Sequence, residues 1–186
     1  MNWIIPGTVL EGRRENAAQS EEQIRSMFLA GGMVLSQISC VTGLEPYAVQ
    51  NWVKRGFLAP PQHKRYTLRQ LCRILNINML KNIMPMEQIC GLLGYINGAL
   101  DDESDDLIDD SELYFRFLQV AAKANDYMVD SPESRDALVK ESMVGYVEPV
   151  PGAAARVEKV LRIMLTAWGA AQLQSQAAEM YKELEV

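Results

Sequence analysis

Four side chains between residues 47 and 54 have the types and spacing to read a nucleic acid. Tyr47, Gln50, Asn51 and Lys54 fall at i, i+3, i+4 and i+7, which puts them on one face of a helix. Amides such as Gln50 and Asn51 match the donor and acceptor on an adenine edge, and a lysine contacts a phosphate as a point charge. Arg55 follows directly, and His63, Lys64 and Arg65 project from a short loop behind Pro60 and Pro61. Prolines fix the direction of such a loop, and its basic side chains suit phosphate contacts. Arg69, at the next helix start, completes the candidate set for double-stranded DNA.

The elements needed to position these groups are legible around them. Leu35, Ile38 and Val41 recur at three-residue spacing, the mark of a buried helix face. Gly43 stops that helix, because glycine takes the left-handed conformation common at helix ends. Pro46 opens the second helix, at a first-turn position where its missing N–H costs nothing. On that helix Val49, Trp52 and Val53 face inward, opposite the polar set. The run Thr67-Leu68-Arg69-Gln70 is a capping box. It predicts a helix with Leu71, Ile74, Ile77 and Leu80 inward and Arg69, Arg73 and Lys81 outward. Pro85 begins another, carrying Met86, Ile89, Leu92 and Leu93.

Thr42-Gly43-Leu44, Val49, Trp52, Lys54-Arg55-Gly56-Phe57-Leu58, Pro60, Arg65-Tyr66-Thr67 and Leu71 resemble the winged-helix DNA-binding domain of the MerR regulators. Met84-Pro85-Met86-Glu87-Gln88-Ile89 resembles that family's second helix pair. The resemblance covers residues 33–95 and implies a helix-turn-helix, a small wing and DNA binding. The wing, Pro61-Gln62-His63-Lys64, is shorter than the family's, and Gln50-Asn51 stand where it usually has arginine and tyrosine. The chain as a whole is similar to an uncharacterised bacterial family known as domain of unknown function 1836, which shares this module.

The chain has 186 residues and a net charge of −6, and the charge is unevenly divided. Residues 33–95 carry seven basic side chains against two acidic, a net of +5, whereas residues 99–148 have a net of −10. Only one part of such a molecule can face a polyanion. No run approaches the length of a membrane span. In MNWIIPGTVLEGRR the apolar part precedes the arginines, the reverse of a secretory leader, so a cytoplasmic location is expected. The three cysteines Cys40, Cys72 and Cys90 lack C-x-x-C spacing and sit in apolar helical patterns, which predicts small core residues. His63 is the only histidine, so neither a histidine-based metal site nor a catalytic triad can be built. With no phosphate loop or nucleophile elbow either, an enzyme is not expected. No metal or cofactor is expected, and no effector is indicated.

Around this module, residues 1–19 read as a loosely held arm with one apolar cluster, Trp3-Ile4-Ile5, that could dock on the body, and Ser20-Glu21-Glu22-Gln23 as a capping box opening a short helix. The run LDDESDDLIDDSE at 100–112 reads as a solvated, mobile linker and helix start, its acids favourable near a helix N-terminus and their pKa values little perturbed, and not as a calcium loop. Helices are expected over 112–129, from Ser131-Pro132-Glu133 to Val144, and from Ala153 to Glu185. The stretch Val160–Leu173 is apolar nearly all round and must be covered, by its own domain or by a second subunit. The expected fold is mainly α: an arm and short helix (1–32), a winged helix-turn-helix (33–98), an acidic helical region (99–148) and a C-terminal helix (149–186). Two readings follow. One is a sequence-specific transcriptional regulator, dimeric through its C-terminal helical region. The other is a non-enzymatic module that uses the winged-helix surface to dock a protein.

Overall fold

A computed structural model describes residues 2–100, 102–124 and 132–184. The protein is mainly helical, with one small two-stranded sheet. Strands β1 (Asn2–Ile4) and β2 (Glu11–Arg13) pair antiparallel, with Trp3 opposite Gly12. The arm expected over residues 1–19 is therefore anchored and not loose. Ile5 is fully buried, the Thr8 hydroxyl donates to the Ile5 carbonyl at 2.9 Å, and the Tyr114 hydroxyl donates to the Pro6 carbonyl at 2.8 Å. The partner that fixes the turn lies 108 positions away in sequence, where local pattern cannot reveal it. Helix α1 (Ala17–Ser26) is capped by Asn16, whose side chain accepts from the Gln19 N–H. Ser20, expected to be the cap, instead sits one turn inside the helix and is buried with Ile24.

Helix α2 (Leu35–Thr42) ends at Gly43, whose φ of +68° is the left-handed conformation expected there, and α3 (Pro46–Lys54) starts at its proline. Ile38, Val41, Val49 and Trp52 are buried, as their spacing predicts. Helix α4 (Leu68–Leu80) opens with the predicted box: Thr67 Oγ1 accepts from the Gln70 N–H, and Gln70 Oε1 accepts from the Thr67 N–H. Leu71, Ile74, Ile77 and Leu80 are all fully buried. So are Cys72 and Leu75, which leaves α4 no broad solvent face. It lies at the centre of the molecule, against α2, α5 (Met86–Asn97), α6 (Asp110–Lys123) and α8 (Ala153–Lys182). Arg73, expected to point outward, is consequently buried. Of the three cysteines Cys72 is buried and Cys90 half-buried, whereas Cys40 is exposed and not a core residue.

The acidic run supplies the helix start expected of it, α6 beginning at Asp110 with Glu112 in its first turn, but residues 102–109 before it are not the mobile linker expected. Leu107 and Ile108 insert into the core, the Leu107 N–H donates to the Ile96 carbonyl at 2.7 Å, and Asp109 caps α6 through the Ser111 N–H. Residues 125–129 of the helix expected over 112–129, the expected cap Ser131, and Glu185 lie outside the described residues. Helix α7 (Pro132–Ser142) packs against α6 and α8. Along α8, Val160, Leu161, Met164, Leu165 and Trp168 are buried, with the Trp168 ring edge-on to Phe117 at 6.0 Å. The apolar stretch of α8 is therefore covered by its own chain as far as Trp168 on its inner side, whereas Ile163 and Leu173 within it are exposed, as are Met180, Tyr181 and Leu184 beyond it. One hydrophobic core runs from Ile5 to Trp168 and draws on all four expected segments. Among the described residues no helix is long and apolar enough to cross a membrane.

Inside this core Arg73 and Asp110 are 5% and 1% exposed, with Arg73 Nη1 and Asp110 Oδ2 3.2 Å apart. Arg73 Nε also donates to the Phe57 carbonyl at 3.0 Å, and Asn76 Nδ2 to the Asp110 carbonyl at 3.4 Å. Two buried charges are tolerable only together. Replacing Asp110 by leucine alone should cost about 3–5 kcal/mol of unfolding free energy in urea titrations, because the Arg73 charge is left buried. The double change Arg73→Met with Asp110→Leu should recover most of that loss. A single-variant loss under about 1 kcal/mol would contradict the pairing.

Candidate functional site

The outward face of α3 is built by its own amphipathic pattern. Val49 and Trp52 are pulled into the core, and their burial turns Tyr47, Gln50, Asn51 and Lys54 to solvent. Tyr47 is 72% exposed, high for an aromatic residue. Among the described residues no hydrogen bond or ion pair engages the side chains of these four. The face is polar and uncommitted. Arg55, at the C-terminal cap, stacks on Phe57 with its guanidinium 4.5 Å from the ring centre. Its contact with Glu87, 3.4 Å and solvent-exposed, is of a kind worth little.

The loop expected to form a two-stranded wing is reduced to a turn. Gln62 and Arg65 exchange both backbone hydrogen bonds, at 3.0 and 2.8 Å, around His63 and Lys64. His63 and Lys64 have φ of +49° and +63°, the signature of a type I′ hairpin turn. The base of this hairpin is held twice. Met33 and Tyr66 pair at 2.9 and 2.7 Å, and Gln70 Nε2 donates to the Ala59 and Pro60 carbonyls, each at 3.0 Å. Gly32 permits the first of these, since a Cβ there would stand 2.8 Å from the Tyr66 carbonyl oxygen. Arg65 folds back, Nη1 donating to the Gly32 carbonyl at 2.6 Å. A neutral acceptor leaves its charge available. His63 and Lys64 stand exposed at the tip.

Arg69 does not belong with this set. Its guanidinium lies 2.6 Å from Asp106, 3.1 Å from Glu103, 3.7 Å from Asp109 and 3.8 Å from Asp110. Burial works against its charge, and the four carboxylates, Asp106 foremost, more than restore it and raise its pKa. A cation so surrounded has no charge left for a phosphate. The acids are altered in turn, contrary to the expectation of little-perturbed carboxyls. Burial pushes Asp106 up to about 6 against the opposing pull of Arg69. Burial likewise raises Asp110, against Arg73 and Arg69. Sequence reasoning missed this cluster because Arg73 and Asp110 are 37 positions apart. One signal was present: Leu71, Cys72, Ile74 and Leu75 flank Arg73 on both sides, which leaves that arginine no polar face of α4.

Both halves of the cluster and the α2–α3 pair lie inside one stretch that matches a known family. Residues 33–117 match the family described as Domain of unknown function (DUF1836). An uncharacterised protein of Bacillus subtilis (strain 168), YkrK, is 32% identical over 84 residues, which is 43% of this chain and 36% of that protein. The similarity thus spans little more than a third of the relative's length. No solved structure matches. The DUF1836 stretch begins at Met33, the residue that pairs with Tyr66, and ends at Phe117 within α6. It includes the acidic run but neither the β1–β2 hairpin nor α8.

Two outcomes follow from this geometry. Asp106 binds a proton more readily folded than unfolded, since its pKa is raised to about 6. Its stabilising contribution is present at low pH and fades as pH rises through that value. Asp106→Asn should therefore gain stability relative to the parent protein as pH is raised from about 4 to about 7.5, read by urea titration. Equal shifts of the two proteins across that range would count against it. At the hairpin tip, His63 and Lys64 occupy a conformation that costs non-glycine residues roughly 1–2 kcal/mol each. His63→Asn with Lys64→Gly installs the preferred type I′ pair and should raise the unfolding free energy by about 1–2 kcal/mol.

Proposed function

We propose that the protein is a sequence-specific DNA-binding transcriptional regulator, with no enzymatic role. In this reading α2 and α3 form a MerR-like helix-turn-helix and the Gln62–Arg65 hairpin is a minimal wing. The observation that carries it is the uncommitted face of α3, where an aromatic, two amides and a lysine are exposed side by side with no partner among the described residues. A helix that spends two buried residues on anchorage and exposes such a set is suited to a major groove. Lys54, Arg55, Lys64 and Arg65, all exposed, supply the electrostatic attraction. The type I′ tip supports it further, because strained positions that carry charge concentrate at functional sites. Tyr47, Gln50, Asn51 and Lys54 would meet base edges and adjoining phosphates, and Arg55, His63, Lys64 and Arg65 the backbone. Arg69 is withdrawn from the set for the reason given above.

The regulator is proposed to act as a homodimer in the cytoplasm. One short recognition helix reads few bases, and two half-sites multiply its specificity. The exposed tail of α8 supports this assembly: Leu173 and Met180 lie one heptad apart on it, and Leu184 follows in the turn after its end, apolar surface that a second helix can cover.

The test is a binding titration on operator DNA recovered from the native host, with the salt concentration varied. Lys64→Ala should weaken binding to all sequences alike and reduce the slope of log affinity against log salt by about 0.9 per subunit. Asn51→Ala should flatten the preference at one base position per half-site, by about 1–3 kcal/mol, with the salt slope nearly unchanged. Two chains should occupy each site. A purified protein without salt-sensitive DNA affinity, in which the same changes disturb only a protein partner, would instead assign the surface to protein docking.

A further inference from the structure

A cleft of about 820 Å³ opens between the Pro6-Gly7-Thr8 turn, the end of α4 and one side of α8. That volume falls within the range of small-molecule sites. Its walls include Trp3, Trp168 and Leu165, and its charged lining consists of Arg14, Lys81 and Arg135. Among the described lining residues there is no carboxylate, in a chain with 24 acidic side chains against 18 basic. The three cations come from three different elements: the segment after β2, the C-cap of α4, and α7. A cation at a helix C-terminus is favoured by the helix dipole, which accounts for Lys81 alone and not for the convergence.

Two of these charges are uncompensated. Neither Lys81 nor Arg135 forms an ion pair with a described residue, and burial lowers the Lys81 pKa with no acid to oppose it. The Arg14 guanidinium sits over the Trp3 ring, 5.8 Å from its centre, so a cation and a flat apolar surface are presented together. Trp3 itself carries a buried indole N–H with no acceptor among the described residues. Apolar walls with a few convergent donors of one sign are the make-up of a site for an amphiphilic anion.

The floor of the cleft is tied to the α2–α3 pair by hydrogen bonds. Asn78 Nδ2 donates both to the Gly7 carbonyl, at 2.8 Å, and to the Thr42 carbonyl at the end of α2, at 3.0 Å. The Val9 N–H donates to the Val41 carbonyl at 2.9 Å. Gly7, at φ +76°, is the residue that allows this approach, since a Cβ there would lie 2.5 Å from the Leu75 carbonyl oxygen. We propose that this cleft binds a small organic anion with a flat apolar body, and that its occupancy is felt at the α2–α3 turn through Asn78. The binding half stands by itself; only a regulatory use of it rests on the DNA-binding reading.

The probe is 2-naphthoate, titrated into the full chain by calorimetry, with 2-naphthol as its neutral counterpart and inorganic phosphate as the anion without a body. One naphthoate per chain is expected, bound at least about ten-fold more tightly than either comparator, a difference of about 1.4 kcal/mol. Lys81→Gln with Arg135→Gln should weaken naphthoate about ten-fold or more and leave the melting temperature of the free protein nearly unchanged, since both side chains lie at the surface of the cleft. Ala170→Trp, which fills the cleft from α8, should abolish binding without touching a charge. Amide hydrogen exchange at Gly43 and Leu44 should slow on saturation. No saturable binding up to about 1 mM, equal affinity for naphthol or phosphate, or indifference to both variants would overturn the site. Binding without any change in exchange at the turn would overturn the coupling. Neither readout uses DNA, so failure of DNA binding would leave both intact.

Discussion

The Arg73–Asp110 pair is the constraint on which the arrangement of the helices depends. An ion taken out of water without a partner is costlier than most proteins can bear, so Arg73 can be buried in α4 only if the N-terminus of α6 comes to meet it. That approach places Asp109 at the cap of α6 and draws Leu107 and Ile108 into the core behind it. Arg73 Nε also holds the Phe57 carbonyl, just after α3. One guanidinium thus fixes the exit of the α2–α3 unit, the central helix and the acidic region relative to one another. Asn76 supports the same junction by donating to the Asp110 carbonyl.

Arg69 extends this junction to the surface. It gathers Glu103, Asp106, Asp109 and Asp110 within 4 Å, and the acidic run is folded because a cation waits for it. Carboxylates crowded in this way around two arginines are a structural cluster, with its positive charge already in place. The consequence for function is subtraction. Of the seven basic side chains in residues 33–95, Arg69 and Arg73 are spent on the protein's own acids and Lys81 faces the cleft beside α8, which leaves Lys54, Arg55, Lys64 and Arg65 for the α3 and hairpin surface. A molecule with acidic net charge keeps this surface basic by neutralising the basic residues nearest its acids.

The N-terminal hairpin has a comparable role on the opposite side of α4. Tyr114, Asn78 and Val41 each bond to its turn, so the α2–α3 unit is braced by a segment outside the stretch matched to the DUF1836 family. The cleft beside that turn, where Lys81 and Arg135 have no ion-pair partner among the described residues, is a place where a small molecule could bear on the same brace.

Much of this was legible in the sequence wherever the deciding interactions are local. Gly43, Pro46 and the Thr67–Gln70 box set helix ends through contacts within four residues, and each end falls where those residues put it. The three-residue spacing of Ile38 and Val41, and of Val49 and Trp52, identified a buried face, and with it the exposed one bearing Tyr47, Gln50, Asn51 and Lys54. What the pattern could not settle was anything governed by distant partners. Arg69 and Arg73 look outward on a helical wheel, yet α4 is enclosed and their carboxylates arrive from beyond residue 100. The run 100–112 reads as solvated because acids predominate, although Leu107 and Ile108 decide its course. Residues 1–19 read as an arm because the anchors of its Pro6-Gly7 turn, Tyr114 and Asn78, lie far along the chain. Burial of a charge depends on what stands opposite it in space, and only the tertiary structure assigns that neighbour.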